Sequence, residues 1–97
     1  MIDFLKDCGI EENVIDNIMD TYSSTVVFSF SCNEIEVKKI INYLNTLGIK
    51  NIGYILTSNL DFFFQTFDDV VKLFNKYDII KLITAINNDP DVIRELK

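Results

Sequence analysis

The sequence contains no histidine and no tryptophan, and only two cysteines, three glycines and one proline occur among its 97 residues. The lack of histidine removes the commonest general base and the commonest protein ligand for metals. Cys8 and Cys32 form neither a CxxC pair nor a zinc spacing, and two cysteines do not make a disulfide scaffold. No glycine-rich phosphate loop or calcium loop is present. We therefore expect a protein that is not an enzyme and that has no cofactor and no metal site.

Basic residues are also scarce, because nine lysines and arginines face 15 acidic residues and the net charge is −6. Residues 1–36 carry eight acidic side chains and a single cation, Lys6. This balance argues against a surface that neutralises phosphates. No apolar run approaches the roughly 18 residues needed to span a bilayer, and Asp3 and Asp7 are not typical of a signal or transit peptide. We expect a cytoplasmic protein that does not contact a membrane.

A short apolar pattern recurs along the chain. Residues 2–10 (Ile-Asp-Phe-Leu-Lys-Asp-Cys-Gly-Ile) return as 41–49 (Ile-Asn-Tyr-Leu-Asn-Thr-Leu-Gly-Ile) and, more weakly, as 71–79. Repeats at such intervals are typical of helical arrays, in which each unit buries its apolar face against its neighbours. We predict one all-α domain, a helical repeat array of about two and a half helix–helix–short-turn units. The predicted units cover residues 1–31, 32–65 and 66–97.

Local signals predict where the helices begin and end. Gly9 and Gly48 follow apolar helical stripes, and glycine just past the last turn is a usual helix stop. Residues 31–34 (Ser-Cys-Asn-Glu) match a capping box, and residues 66–69 (Thr-Phe-Asp-Asp) form a similar start with aspartate in place of glutamate. Residues 89–90 read as an N-cap aspartate followed by proline at the first helical position.

Residues 22–30 differ from the helical pattern. Valine and phenylalanine alternate there with other residues, and β-branched side chains are frequent, which locally indicates a strand. Since no second stretch offers a partner strand, we predict an extended connector packed on the helices. If the segment were a true strand, its open edge could pair with a second copy of the chain. We therefore favour a monomer and keep a dimer through residues 22–30 as the alternative.

Three consecutive phenylalanines occupy residues 62–64. At helical spacing one of the three must point outward, while the others fill the core of a short turn between stacked units. An exposed phenylalanine at this place would mark a partner surface.

The repeat has a recognisable order. Residues 43–49 (Tyr-Leu-Asn-Thr-Leu-Gly-Ile) end a leucine-rich helix in Leu-Gly, and Pro90 opens a short final turn. Over nearly its whole length the chain resembles the repeat of the mitochondrial transcription termination factor (mTERF) family, which has two helices and a short third turn. The resemblance implies stacked helical units and nucleic-acid binding on a basic inner surface. The acidic balance of this chain disfavours that binding role.

Two sets of side chains are candidate contact surfaces. Lys72 and Lys76 are four residues apart and share a helix face, and stacking of the units could align them with Lys38 or Lys39. The candidate nucleic-acid contacts are Lys38, Lys39, Lys72, Lys76 and Lys81. The candidate partner surface consists of Glu11, Glu12, Asp16, Asp20, Phe28 and Phe30.

These patterns favour one function and leave two alternatives open. We predict a small non-catalytic module that binds a protein partner, because curved helical arrays offer concave binding surfaces. The first alternative is a nucleic-acid-binding regulator, which requires the lysines to converge on one face. The second is an acidic inhibitor of a nucleic-acid-binding protein, which requires the acidic residues or an apolar patch to form the continuous surface.

Overall fold

The computed structural model describes all 97 residues as six α-helices and three short 3₁₀ helices, with no β-strand. In chain order these are η1 (Asp3–Cys8), α1 (Glu12–Thr21), α2 (Ser24–Cys32), α3 (Glu34–Leu47), α4 (Ile52–Ser58), η2 (Leu60–Phe64), α5 (Phe67–Phe74), α6 (Ile79–Asn88) and η3 (Pro90–Glu95). The predicted all-α fold class is confirmed. None of these helices has the length and apolar character needed to cross a membrane.

The core is built around α3, the longest helix. Its apolar stripe at Val37, Ile40, Ile41 and Leu44 follows the three-and-four spacing of one helix face and is fully buried. Helix α3 contacts η1, α4, η2 and α5, so elements that precede it and elements that follow it in the chain pack on it. The 23 buried hydrophobic residues of the chain form a single cluster. The result is one compact domain with a radius of gyration of 12.8 Å.

An aromatic cluster fixes α2 and η2 against the rest of the core. The ring of Phe30 in α2 stacks on Phe4 at 5.9 Å and meets Phe63 and Phe64 edge-on at 6.5 and 6.3 Å. Phe62 and Phe63 are buried, whereas Phe64 is 41% exposed. The prediction that one of the three consecutive phenylalanines points outward is confirmed.

Most of the predicted helix boundaries are confirmed. Gly9 and Gly48 follow η1 and α3 with φ of +82° and +86°, a left-handed conformation that glycine adopts without a steric penalty. The Thr66 hydroxyl accepts the Asp69 backbone N–H at 3.1 Å and caps α5. At the start of η3, residues 89–90 supply the predicted capping aspartate and a first-turn proline.

The prediction for residues 22–30 is wrong, because α2 is a helix rather than an extended connector. The Ser23 hydroxyl caps it by accepting the Val26 N–H at 3.3 Å, and Val27 and Phe30, three residues apart, are fully buried. Burial of this helical pair in the core outweighs the strand preference of the β-branched and aromatic residues. A dimer formed by pairing of strand edges therefore has no strand to use.

The capping box predicted at residues 31–34 is also wrong. Ser31 lies inside α2, where its hydroxyl donates to the Phe28 carbonyl at 2.6 Å. Helix α3 begins at Glu34 without a side-chain cap. The side-chain amide of Asn33 instead donates to the Phe63 carbonyl at 2.8 Å, which ties the α2–α3 junction to η2. Because α2 extends to Cys32, Ser31 lies in the interior of a helix and not at the start of one.

Candidate functional site

Helix α2 lies on the surface of the protein without carrying any charge. The thirteen residues 21–33 contain no aspartate, glutamate, lysine or arginine, in a chain whose residues are 25% charged. Several α2 side chains are nevertheless exposed, and Phe28 is 58% exposed. Surface helices normally turn charged and polar residues to water. Depletion of charge together with an exposed aromatic ring is typical of the central part of protein interfaces.

An apolar groove runs beside this helix, between α2 and η2. Its volume is about 570 Å³, and its lining residues are Tyr22, Thr25, Val26, Ser29, Leu60, Asp61 and Phe64. The Tyr22 hydroxyl donates to the Thr57 carbonyl at 2.6 Å and so fixes one wall of the groove to α4. The Phe64 ring packs edge-on against Phe30 at the other wall. Both walls are thus held by contacts within the protein, and the groove is already formed in the single chain.

The charged side chain in the lining of the groove is acidic. Asp61 is the one charged residue that lines it, and it forms no ion pair within the chain. Helix α1 packs against α2 and presents Glu12, Asp16 and Asp20, which are exposed and spaced by four residues along one helix face. Glu12 lies 3.8 Å from Lys6, whereas Asp16 and Asp20 have no cationic partner. The lining of the groove therefore contains one unpaired acidic side chain, and two more lie on the helix that contacts α2.

Five of the six residues predicted as a partner surface are exposed, and one is buried. Glu11, Glu12, Asp16, Asp20 and Phe28 are all exposed. Phe30 is fully buried in the aromatic cluster, so it cannot belong to a contact surface in this fold, and its inclusion is corrected. The reason is the helical conformation of α2, in which residues two apart lie on different faces.

The five lysines predicted as nucleic-acid contacts do not share one groove. Lys72 and Lys76 line a second groove of about 500 Å³ between α5, η2 and η3, together with Arg94. Asp61 and Asp69 line the same groove, so its charge is mixed.

The remaining lysines lie elsewhere. Lys38 lines a third groove beside η1 and forms an ion pair with Glu34 at 3.2 Å. Lys39 is 3.8 Å from Glu36, and Lys81 lines none of the three grooves. The structure thus brings two of the five lysines together.

A polar network at the end of α4 was not found from the sequence. Asn59 is the one buried polar residue, and its side-chain oxygen accepts a hydrogen bond from Arg94 Nε. Arg94 Nη2 also donates to the Ser58 carbonyl at 3.0 Å, and the Asn59 amide donates to Asp91 at 3.3 Å. Tyr54 donates to the same aspartate at 3.1 Å. Arg94 is the only arginine of the chain, which is the one signal that could have singled it out.

The two cysteines differ in their surroundings. Burial raises the pKa of the half-buried Cys8 thiol, which keeps it protonated and poorly nucleophilic. Cys32 is exposed, and the two thiols are not joined.

The α2–η2 groove offers apolar area and one carboxylate, that of Asp61. Comparison of the chain with family models, curated proteins and solved structures finds no match of any of the three kinds. The function is therefore inferred from the residues and geometry of this chain.

Proposed function

We propose that this chain is a small non-catalytic helical module that binds a protein partner through the exposed face of α2. The observation that carries the proposal is the uncharged surface helix with Phe28 exposed on it. Burying a phenylalanine side chain completely is worth roughly 1.5–3 kcal/mol, and at 58% exposure Phe28 leaves about half of that free energy unrealised. A partner that covers this face would recover much of that free energy, and no charged group of α2 would have to be desolvated.

Nucleic-acid binding is the second candidate function. It is supported by the shared groove of Lys72, Lys76 and Arg94. Two acidic residues line that groove as well, and phosphates would be repelled by them and by the net charge of −6. An acidic inhibitor of a nucleic-acid-binding protein is a special case of the first proposal, and the unpaired acids of α1 support it.

We also propose that the elements form the repeated units expected from the sequence. The order helix, glycine stop, helix is shared by η1–Gly9–α1 and α3–Gly48–α4. The third element differs between units, since α2 is a nine-residue α-helix while η2 and η3 are 3₁₀ helices. A relation to the mTERF repeat stays a proposal that rests on this order and on the sequence pattern.

The proposal is tested by affinity capture from native cell lysate with and without nuclease. The bait is compared with its Phe28→Ser variant and with Ile80→Ser, a matched control that removes another exposed hydrophobic side chain, on α6. We expect a protein that survives nuclease, is lost with Phe28→Ser and is retained with Ile80→Ser. Capture of nucleic acid alone, or equal capture by the two variants, would contradict the proposal.

A further inference from the structure

We propose that the α2–η2 groove receives an amphipathic helix of the partner, whose apolar side chains enter the groove and whose flanking lysines or arginines meet the acids around it. This inference rests on the proposed function, because it states which kind of protein segment covers α2. Three properties of the groove support it: its lining, the state of its backbone groups and the sign of its surroundings.

The lining selects apolar side chains. Four of the seven lining residues are hydrophobic, two more are the small hydroxyl residues Thr25 and Ser29, and one is charged. A volume of about 570 Å³ falls within the range of roughly 300–1,000 Å³ that is usual for ligand pockets. Phe28 lies on the same helix but is not among the residues that line the groove.

The backbone groups of the protein beside the groove favour a helical partner segment over an extended one. No strand exists in the protein, so no sheet edge is available for strand addition. Along α2 the backbone amides and carbonyls are paired within the helix, so they cannot form hydrogen bonds with the backbone of a partner. A partner segment that buries itself here must satisfy its own backbone groups, and a helix does this. Nine residues of α2 are about 13 Å long at 1.5 Å per residue, which matches two to three turns of a partner helix.

The acidic residues in the groove and on the adjoining helix favour a partner segment that carries positive charge. Asp61 lines the groove, and Asp16 and Asp20 are unpaired on the adjoining helix, whereas no lysine or arginine lines it. Like charges that face each other across an interface are costly, so an acidic or uncharged helix is disfavoured against a basic one. A second copy of this chain is disfavoured for the same reason, because each copy carries a net charge of −6.

The test uses a displayed library of randomised peptides of about 18 residues with helix-forming frameworks, selected against the full chain. We expect the enriched peptides to carry apolar residues at i, i+3 or i+4, and i+7, flanked by lysine or arginine. Their affinities are then measured by fluorescence anisotropy at two salt concentrations. Ser29→Arg places a cation in the groove and is expected to weaken binding at least tenfold, whereas Thr84→Arg, an equally exposed helical position on α6, is the matched control and should not.

A second variant tests the charge argument separately. The triple change Asp16→Asn, Asp20→Asn and Asp61→Asn is expected to weaken binding about tenfold and to reduce its salt dependence, since exposed ion pairs contribute modestly and are screened. Circular dichroism of each variant checks that the fold is kept.

The inference is overturned if no helical peptide is enriched, if the enriched peptides are acidic or uncharged, or if Ser29→Arg binds them as well as the original chain does. In those cases the capture experiment with Phe28→Ser still decides the proposed function by itself. A partner that depends on Phe28 but contributes no basic helix would leave the proposed function standing and remove this inference.

Discussion

Val14 of α1 packs directly against Gly53 of α4. A Cβ atom added at Gly53 would lie 2.9 Å from Val14 Cγ2 and 3.6 Å from Cγ1. Carbon atoms pack favourably at about 3.5–4.0 Å, so the first distance is a clash. Valine in a helix has one strongly preferred χ1 rotamer, and Val14 therefore cannot swing away cheaply.

Two effects of opposite sign determine the result of Gly53→Ala. Replacing glycine by alanine inside a helix gains about 1 kcal/mol in helix propensity. Overpacking a helix contact costs about 1–3 kcal/mol. We expect the clash to win, so that Gly53→Ala lowers the free energy of unfolding by about 1 kcal/mol in the natural background.

The sign should reverse when the valine methyl groups are removed. Val14→Ala by itself is expected to cost about 1 kcal/mol, since the side chain is half-buried. In that background the nearest remaining Val14 atom, Cβ, is at 3.8 Å from the added methyl, an ordinary contact. Gly53→Ala should then stabilise the protein by about 1 kcal/mol, which gives a coupling of about 2 kcal/mol.

The assay is urea unfolding of all four proteins, followed by far-ultraviolet circular dichroism at constant pH and temperature. Equal m-values would show that the unfolded states are comparable. If Gly53→Ala stabilises both backgrounds equally, the α1–α4 approach is looser than the structure has it and the reasoning is refuted.

Three further predictions concern local features. Gly48→Ala should lower the free energy of unfolding by about 1–2 kcal/mol in the same assay, because alanine is strained at a φ of +86°. An added Cβ would meet no neighbouring atom there, so backbone strain is the only expected cost. A neutral result would contradict the left-handed stop. Cys32 should react with a thiol reagent at pH 8 well before Cys8, whose raised pKa and burial lower its thiolate fraction; equal rates would refute this. Arg94→Met should cost about 1–3 kcal/mol, since it leaves the buried Asn59 oxygen without its donor, and unchanged thermal unfolding would count against the network.

The candidate site was only partly predictable from the sequence. The acidic residues of α1 and Phe28 were identified because net charge and aromatic residues are visible in any sequence. The groove beside α2 was not, because Leu60 and Phe64 come from a distant part of the chain and reach α2 only through packing. The same holds for Lys72, Lys76 and Arg94, whose shared groove depends on how α5 and η3 meet.

The sequence by itself determined the features that depend on nearest neighbours along the chain. These features are the all-α class, the left-handed stops at Gly9 and Gly48, and the caps at Thr66 and Asp89. All of them follow from backbone sterics and short-range hydrogen bonds. Only the tertiary structure decided the conformation of residues 22–30. Their local preference is for a strand, but a helix buries Val27 and packs Phe30 against rings from η1 and η2. That burial is a long-range interaction, which no local pattern records.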